Sequence, residues 1–349
     1  MKTVFSDVVE YRGSHYDFGY YQGEILKQTP ILVNRKKQWE SQKRRHFIIQ
    51  LDTVKEMLLY FAPRIWDELQ GLADALQLTI KEAVQDFGGY YLEFIRSGCS
   101  IFTGSHYMIR NYDNDPSTYE GRYVMYQPND NGYATIGPTM QITGRTDGIN
   151  EKGLAMGYNF INRKKSADGF LCNMIGRIVL ESCANLEEAI TLLKEIPHRH
   201  SFSYVLMDGL GKSSIVEASP RAVAIRQSNI CTNHFEHLVE ENRYRMDDSY
   251  QRYEAIYSQQ QHAVDPYHAF RMLNDTDKGV FSKKYGAWAG TLHTAAYFSN
   301  DLKAWFALGG DRKPLIIDFQ KWLYGKDLNA KRIKGELDAK DPFVNMEYL

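Results

Sequence analysis

Gly98-Cys99-Ser100-Ile101-Phe102-Thr103 opens a stretch that continues through Tyr107-Met108-Ile109-Arg110-Asn111-Tyr112-Asp113. Before Gly98 the chain reads as helix; after it come short alternating segments broken by glycine and asparagine turns, the texture of strands. Residues 100–102 and 107–110 are strand candidates close enough to form a hairpin, which would return Arg110 and Asp113 to the side of Cys99. A guanidinium beside a thiol favours the thiolate, and a carboxylate there can hold a protonated α-amino group. Alone, a cysteine is most often a small buried hydrophobe, and an Arg–Asp pair at a strand end is most often a surface ion pair. Their combination at a helix-to-strand junction points to chemistry.

Upstream, Leu51, Val54, Leu58 and Phe61 recur at helical spacing, and Ile65, Leu69, Leu72 and Leu76 repeat the pattern after Pro63. Thr79 followed by Glu82 reads as a capping box. The basic runs Arg35-Lys36-Lys37 and Lys43-Arg44-Arg45, interleaved with glutamines and a glutamate, read as a solvated helix face.

Downstream, strands are expected at 141–143 and 154–158. A helical block around Met174, Ile175, Ile178 and Val179 follows, then a second helix capped by Asn185 with Glu188 at its third position and ended by Pro197. Strands resume at 204–207, 214–217, 222–226 and 230–232, a helix covers 248–259, and strands at 291–298 and 304–308 precede a charged tail. Many antiparallel strands around a central helical pair imply an α+β layered sandwich.

Two further strand ends carry asparagine. Asn150-Glu151-Lys152-Gly153-Leu154 leads to Asn159-Phe160, and Cys231-Thr232 to Asn233-His234-Phe235. Amides at strand ends can donate to a developing oxyanion, although a single asparagine most often makes a turn.

The bulk properties exclude several classes. Forty-two basic against 43 acidic residues give a net charge of −1, so no global field draws nucleic acid or an anionic membrane. No apolar run suits a signal peptide or a membrane span, which predicts a soluble, cytoplasmic protein. Cys99, Cys172, Cys183 and Cys231 make no disulfide scaffold, and the last three read as packing. His198-x-His200 and His234-x-x-His237 lack the partners of a metal site, and no metal or cofactor is expected.

Taken in order, Gly98-Cys99-Ser100-x-Phe102, Arg110-Asn111-Tyr112-Asp113, Asn150 through Asn159-Phe160, Thr232-Asn233-His234-Phe235 and Ser249-x-x-Arg252 resemble the linear-amide hydrolase group of N-terminal-nucleophile (Ntn) enzymes. That group holds the choloylglycine (bile salt) hydrolases, penicillin V acylases and isopenicillin N acyltransferases. The acyltransferase branch is the nearer likeness: it carries a long leader, and Gly13-Ser14-His15-Tyr16-Asp17-Phe18-Gly19 followed by Gly23 is similar to its N-terminal signature. The resemblance implies a four-layer αββα sandwich with a helical leader over residues 1–98 and a catalytic domain over 99–349. It implies Cys99 as nucleophile, freed by self-cleavage at Gly98–Cys99. Arg110 and Asp113 would set its environment, Asn159 and Asn233 the oxyanion site, and Arg252 would support them.

The expected reaction is cleavage of a linear, non-peptide amide through a thioester acyl-enzyme. The expected partners are a small-molecule amide and the retained leader, with a homo-oligomer left open. An acyl-CoA-dependent N-acyltransferase is the rival on the same fold, and an unprocessed, non-catalytic binding protein the rival of another class. The loop 116–132, with Tyr119, Tyr123 and Tyr126, is expected to line the pocket and favour a flat or aromatic acyl group.

Overall fold

The computed structural model describes residues 1–41, 50–90, 98–162, 166–243, 246–262, 265–287 and 289–346. Lys43-Arg44-Arg45 lie outside them. Among the described residues, two sheets stack face to face. The larger has ten strands in the order β11 (Val223–Arg226), β10 (Ser213–Ala218), β9 (Phe202–Met207), β8 (Ala155–Phe160), β7 (Asp147–Asn150), β5 (Thr135–Met140), β4 (Arg122–Pro128), β1 (Lys2–Gly13) and β16 (Arg332–Leu337), with β6 (Gly144–Arg145) beside β5. The smaller has six: β12 (Ile230–Cys231), β2 (Ser100–Thr103), β3 (Tyr107–Asn114), β13 (Gly290–Phe298), β14 (Lys303–Leu308) and β15 (Leu315–Asp318).

Between the sheets lies an apolar core that includes Cys99, Ile101, Met108, Tyr123, Met125, Ile136, Ala155, Val205 and Phe306. Helices α3 (Leu51–Phe61), α4 (Pro63–Leu76), α5 (Ile80–Phe87), α6 (Cys172–Ser182) and α7 (Leu186–Glu195) share a second core with the larger sheet. Helices α8 (Met246–Gln259) and α9 (Pro266–Asn274) cover the smaller sheet through Ile256, Phe270 and Leu273. The result is the four-layer αββα sandwich. Helices α1 (His15–Leu26) and α2 (Ile31–Ser41) also lie within residues 1–98, and α10 (Phe319–Leu323) lies near the end of the chain.

Local signals account for several boundaries. Thr79 and Glu82 form the capping box of α5, Asn185 accepts from Glu188 N at the start of α7, and Pro63 occupies the first turn of α4. The expected strand over 141–143 is instead a turn. Gln141 and Ile142 are both left-handed, with φ of 59° and 66°, which ends β5 and swings the chain back into β6.

The segment expected to be a helical leader is more than helical. It opens with the twelve-residue β1, paired parallel to β4 and antiparallel to β16, so it builds part of the larger sheet. The charged tail supplies β16 by alternation: Ile333, Gly335 and Leu337 are buried while Arg332, Lys334 and Glu336 are exposed. Within residues 1–98, α1 and α4 cross almost backbone to backbone. A Cβ on Gly19 would sit 2.0 Å from Glu68 O, and one on Gly71 2.0 Å from Tyr16 O.

Three other expectations change. Arg35 is buried in an ion pair with Glu120 at 2.6 Å, while Lys36 and Lys37 are exposed as expected. Tyr123 and Tyr126 belong to β4 and are sealed, Tyr123 against Phe306 between the sheets and Tyr126 stacked on Phe18 of α1. Tyr119 is buried against Phe343. These tyrosines are core, because the strand β4 runs through what was expected to be loop.

Candidate active site

Cys99 immediately precedes β2, and the hairpin register pairs Ser100 with Asn111 and Ile101 with Arg110. Arg110 shares the inward face of β3 with Met108 and Tyr112, so its guanidinium reaches Cys99 from inside the sandwich. Arg110 Nη2 donates to Cys99 Sγ at 3.4 Å and to Tyr158 O at 2.5 Å. The backbone N–H of Asp113 also donates to Sγ at 3.4 Å. Two donors thus converge on the sulfur, an arrangement that favours a thiolate.

Behind Arg110 stands a carboxylate that the sequence reading missed. Asp147, on β7, accepts from Arg110 Nη1 at 2.6 Å, Tyr297 OH at 2.6 Å and Thr146 Oγ1 at 2.7 Å, with His293 Nε2 at 3.3 Å. Burial opposes the charge on both partners. It is outweighed by Cys99 and Asp147 at Arg110, and by His293 and Arg110 at Asp147. Arg110 is held above its ordinary range and Asp147 below the usual carboxylate range. Burial also lowers His293, which is therefore neutral at pH 7; its contribution there is a hydrogen bond, and Arg110 is the standing counter-ion.

On the other side of Cys99, Asn233 follows β12 by two residues and α8 brings Arg252. The Cys99 N–H donates to Asn233 Oδ1 at 2.7 Å, and Arg252 Nη2 donates to the same oxygen at 2.8 Å. Arg252 Nη1 donates to Cys99 O at 2.6 Å and Ser100 Oγ at 2.8 Å. Asn233 is braced in turn: Nδ2 donates to Phe160 O at 2.7 Å, and its backbone N–H donates to Ser249 Oγ at 2.7 Å.

Asp113 accepts from Thr291 Oγ1 at 2.7 Å. A Cβ on Gly98 would lie 3.7 Å from Asp113 Oδ2 and 3.6 Å from Arg252 Nη2, so both groups stand beside the Gly98–Cys99 peptide. Burial, only partly offset by Arg252 and Thr291, pushes the Asp113 carboxyl up to about 7.

Asn159 is placed differently. Its Nδ2 donates to Cys231 O at 2.9 Å and Thr232 O at 3.2 Å, joining the end of β8 to β12. Thus Cys99, Arg110, Asp113, Asn233 and Arg252 come together, while the Asn159 side chain is directed at the strand that presents Asn233. The other three thiols are buried, and burial raises each one, Cys183 to about 12 and Cys231 to about 11. Among the described residues no group of His, Cys, Asp and Glu is arranged to hold a metal, and no helix is long and apolar enough to cross a membrane.

A buried cysteine thus stands at the head of a strand in a four-layer sandwich, held at both nitrogen and sulfur. The family model described as "Acyl-coenzyme A:6-aminopenicillanic acid acyl-transferase" matches residues 102–313, and the chain belongs to that family. The matched span includes Arg110, Asp113, Asn159, Asn233 and Arg252 and begins three residues after Cys99.

Three solved structures are similar at low identity. Penicillin V acylase from Agrobacterium tumefaciens shares 17% identity, with 64% of this chain and 86% of that one covered, at a TM-score of 0.46. A variant of conjugated bile acid hydrolase from Clostridium perfringens shares 14%, covering 70% and 97%, at 0.44. A Caenorhabditis elegans ortholog of N-acylethanolamine-hydrolyzing acid amidase shares 12%, covering 58% and 93%, at 0.40. A search of curated protein sequences gave no match.

Proposed function

We propose that this chain is a cysteine Ntn amidase that activates itself by cutting the Gly98–Cys99 bond. The observation that carries the reading is the double hold on Cys99: its N–H on Asn233 Oδ1 at 2.7 Å, and its Sγ between Arg110 Nη2 and Asp113 N at 3.4 Å each.

In the precursor, Sγ attacks the Gly98 carbonyl carbon. The C–N bond breaks, its electron pair stays on Cys99 N, and the thiol proton ends there, leaving Gly98 joined to sulfur as a thioester. Water hydrolyses the thioester to a Gly98 carboxylate and a free thiol. Asp113, half ionised near pH 7, is suited to pass the proton between sulfur and nitrogen.

The new α-amino group has a reference pKa of about 7.7–8.0 and serves as the base in turnover. Sγ attacks the substrate acyl carbon, the amine leaves with a proton, and a second thioester forms for water to hydrolyse. Asn233 and a backbone N–H near Asn159 hold the oxyanion; losing one such donor costs about 100- to 1000-fold in rate. Arg252 keeps Asn233 and the Cys99 carbonyl in register. The substrate is a small linear amide.

Residues 1–98 stay bound after cleavage, because β1 is hydrogen-bonded on both sides and Arg35, Glu68 and His15 are paired with buried groups of the body. Intact mass under denaturing conditions, with N-terminal sequencing, tests the reading. Two chains are expected, one beginning at Cys99, that elute together under native conditions. A single chain that persists on long incubation with no amidase activity would return the protein to the non-catalytic binding class.

The description of the family favours a second outcome for the same thioester: its transfer to an amine, with acyl-CoA as donor. Incubation with acyl-CoA and a panel of amines distinguishes the two, a new amide marking the acyltransferase and free acid alone the hydrolase.

A further inference from the structure

The face of the larger sheet that meets the leader carries a row of polar groups that the proposed chemistry does not use. In the β4–β5 register Tyr123 faces Pro138, which sets the preceding Arg122 opposite the following Thr139; Thr139 in turn faces Arg145 on β6. Tyr123 points into the core between the sheets, so the row points the other way, beneath α1, α4 and α6. Neighbouring strands are about 4.8 Å apart, so the three side chains rise from adjacent positions.

All three are sealed, with exposures of 4%, 7% and 0% for Arg122, Thr139 and Arg145. Arg122 spends Nη2 on Gln22 Oε1 at 3.0 Å, while Arg145 spends Nη1 on the carbonyls of Thr143 and Gly144 at 3.4 and 3.2 Å. Arg122 Nε and Nη1, Arg145 Nε and Nη2, and Thr139 Oγ1 have no hydrogen-bond partner among the described residues.

The buried carboxylates around them are engaged elsewhere. Four guanidinium groups (Arg35, Arg122, Arg145, Arg177) face three glutamates (Glu68, Glu120, Glu181). Glu120 is taken by Arg35 at 2.6 Å, Glu68 by Arg177 at 2.7 Å, and Glu181 by Arg177 and His15. His15 is also bound to Asp130 at 2.7 Å, and Asp7, farther out, is held by Arg332. Asp86 adds a fourth carboxylate, close enough to be lowered by Arg35, but among the described residues no ion pair reaches Arg122 or Arg145, and a sealed charge without a paired counter-ion costs several kcal/mol. Burial and the neighbouring Arg177 accordingly push the Arg145 guanidinium down to about 9.

We propose that this row binds one small monovalent inorganic anion, chloride in the cell, held by the spare N–H groups of Arg122 and Arg145 and the hydroxyl of Thr139. One negative charge between them would give both guanidinium groups the ion pair they lack, and the leader helices close over it. A larger ligand has no route to groups this deeply sealed. The ion is enclosed as the leader packs, so it stabilises the joined leader and body and takes no part in amide chemistry.

The test uses the full chain. Thermal unfolding is followed in sodium chloride and in sodium gluconate at equal ionic strength, and crystals grown in sodium bromide are examined for anomalous scattering. The proposal expects each tenfold rise in chloride above Kd to raise the folded-to-unfolded ratio tenfold, a dependence that gluconate lacks and Arg145→Met removes. It also expects a bromide peak within hydrogen-bonding distance of Arg122 and Arg145. Identical unfolding in the two salts, or bromide only on the surface, would overturn it and leave the row to water. The bromide experiment needs no variant, so a misfolding Arg145→Met does not blunt the test.

Discussion

Arg110 and Arg145 are equally sealed from solvent, one between the two sheets and the other between the larger sheet and the leader, yet they are answered differently. Arg110 has a carboxylate at 2.6 Å, a carbonyl at 2.5 Å and a sulfur at 3.4 Å. Arg145 has two carbonyls and, among the described residues, no carboxylate. Where the charge stands beside the Cys99 sulfur, the surrounding strands supply a counter-ion of their own. Where it lies between the larger sheet and the helices of residues 1–98, the nearby carboxylates are paired with other groups. A buried guanidinium is thus a working part only when the fold also supplies what holds it in place.

The largest expected effect breaks the comparison at its centre. Cys99→Ala removes the atom that Arg110 serves, so the chain should remain a single precursor with no turnover, read by denaturing mass and an amidase assay. Cleavage in that variant would mean that another residue cuts the chain.

Next comes the counter-ion. Asp147→Asn would leave Arg110 in the position Arg145 now occupies, and losing one partner of a buried pair costs about 3–5 kcal/mol. Urea unfolding at pH 7 measures it. A loss under 1 kcal/mol would show that Arg110 does not depend on this carboxylate.

Asp113 sharpens the contrast through pH. Its folded-state pKa of about 7 lies above the usual carboxylate value near 3.9, so the fold prefers the protonated form. Stability from this group is complete below about pH 4 and falls as pH rises to about 7, by about 4 kcal/mol in all. Asp113→Asn should therefore raise stability at pH 8 by up to about 4 kcal/mol, leave it nearly unchanged at pH 4, and slow or stop self-cleavage. Equal stability changes at both pH values would remove the proton-relay role.

How much of this was legible in sequence follows the distance between partners. Cys99, Arg110 and Asp113 lie within one hairpin, whose spacing alone brings them together, and the capping boxes are signals three residues long. Strand β1 was missed because Ser6, Asp7 and Glu10 break its apolar pattern and its partners begin at Arg122 and Arg332. Asp147 sits in Thr146-Asp147-Gly148, which reads as a turn, and nothing local announces the guanidinium 37 residues earlier in the chain. The tyrosines of β4 were misplaced for the same reason: a helix of the leader and a distant strand bury them.

The smallest expected effect concerns Ser249, quoted in the sequence only as the start of Ser249-x-x-Arg252. Its Oγ accepts the Asn233 N–H at 2.7 Å and lies 2.9 Å from both Thr232 Oγ1 and His234 Nδ1. Burial holds His234 down to about 4, so at working pH its ring is neutral and Nδ1 can accept the serine proton. Ser249→Ala leaves a buried N–H unsatisfied, a loss of about 1–3 kcal/mol. Because Asn233 Oδ1 holds the Cys99 N–H, cleavage measured well below the unfolding temperature should slow as well, and Ser249→Thr, which keeps the hydroxyl, should restore it. If Ser249→Ala unfolds more easily but cleaves at the unaltered rate, Arg252 and the Phe160 carbonyl are enough to hold Asn233, and the serine belongs with Arg145 among the groups that build the fold without serving the thiol.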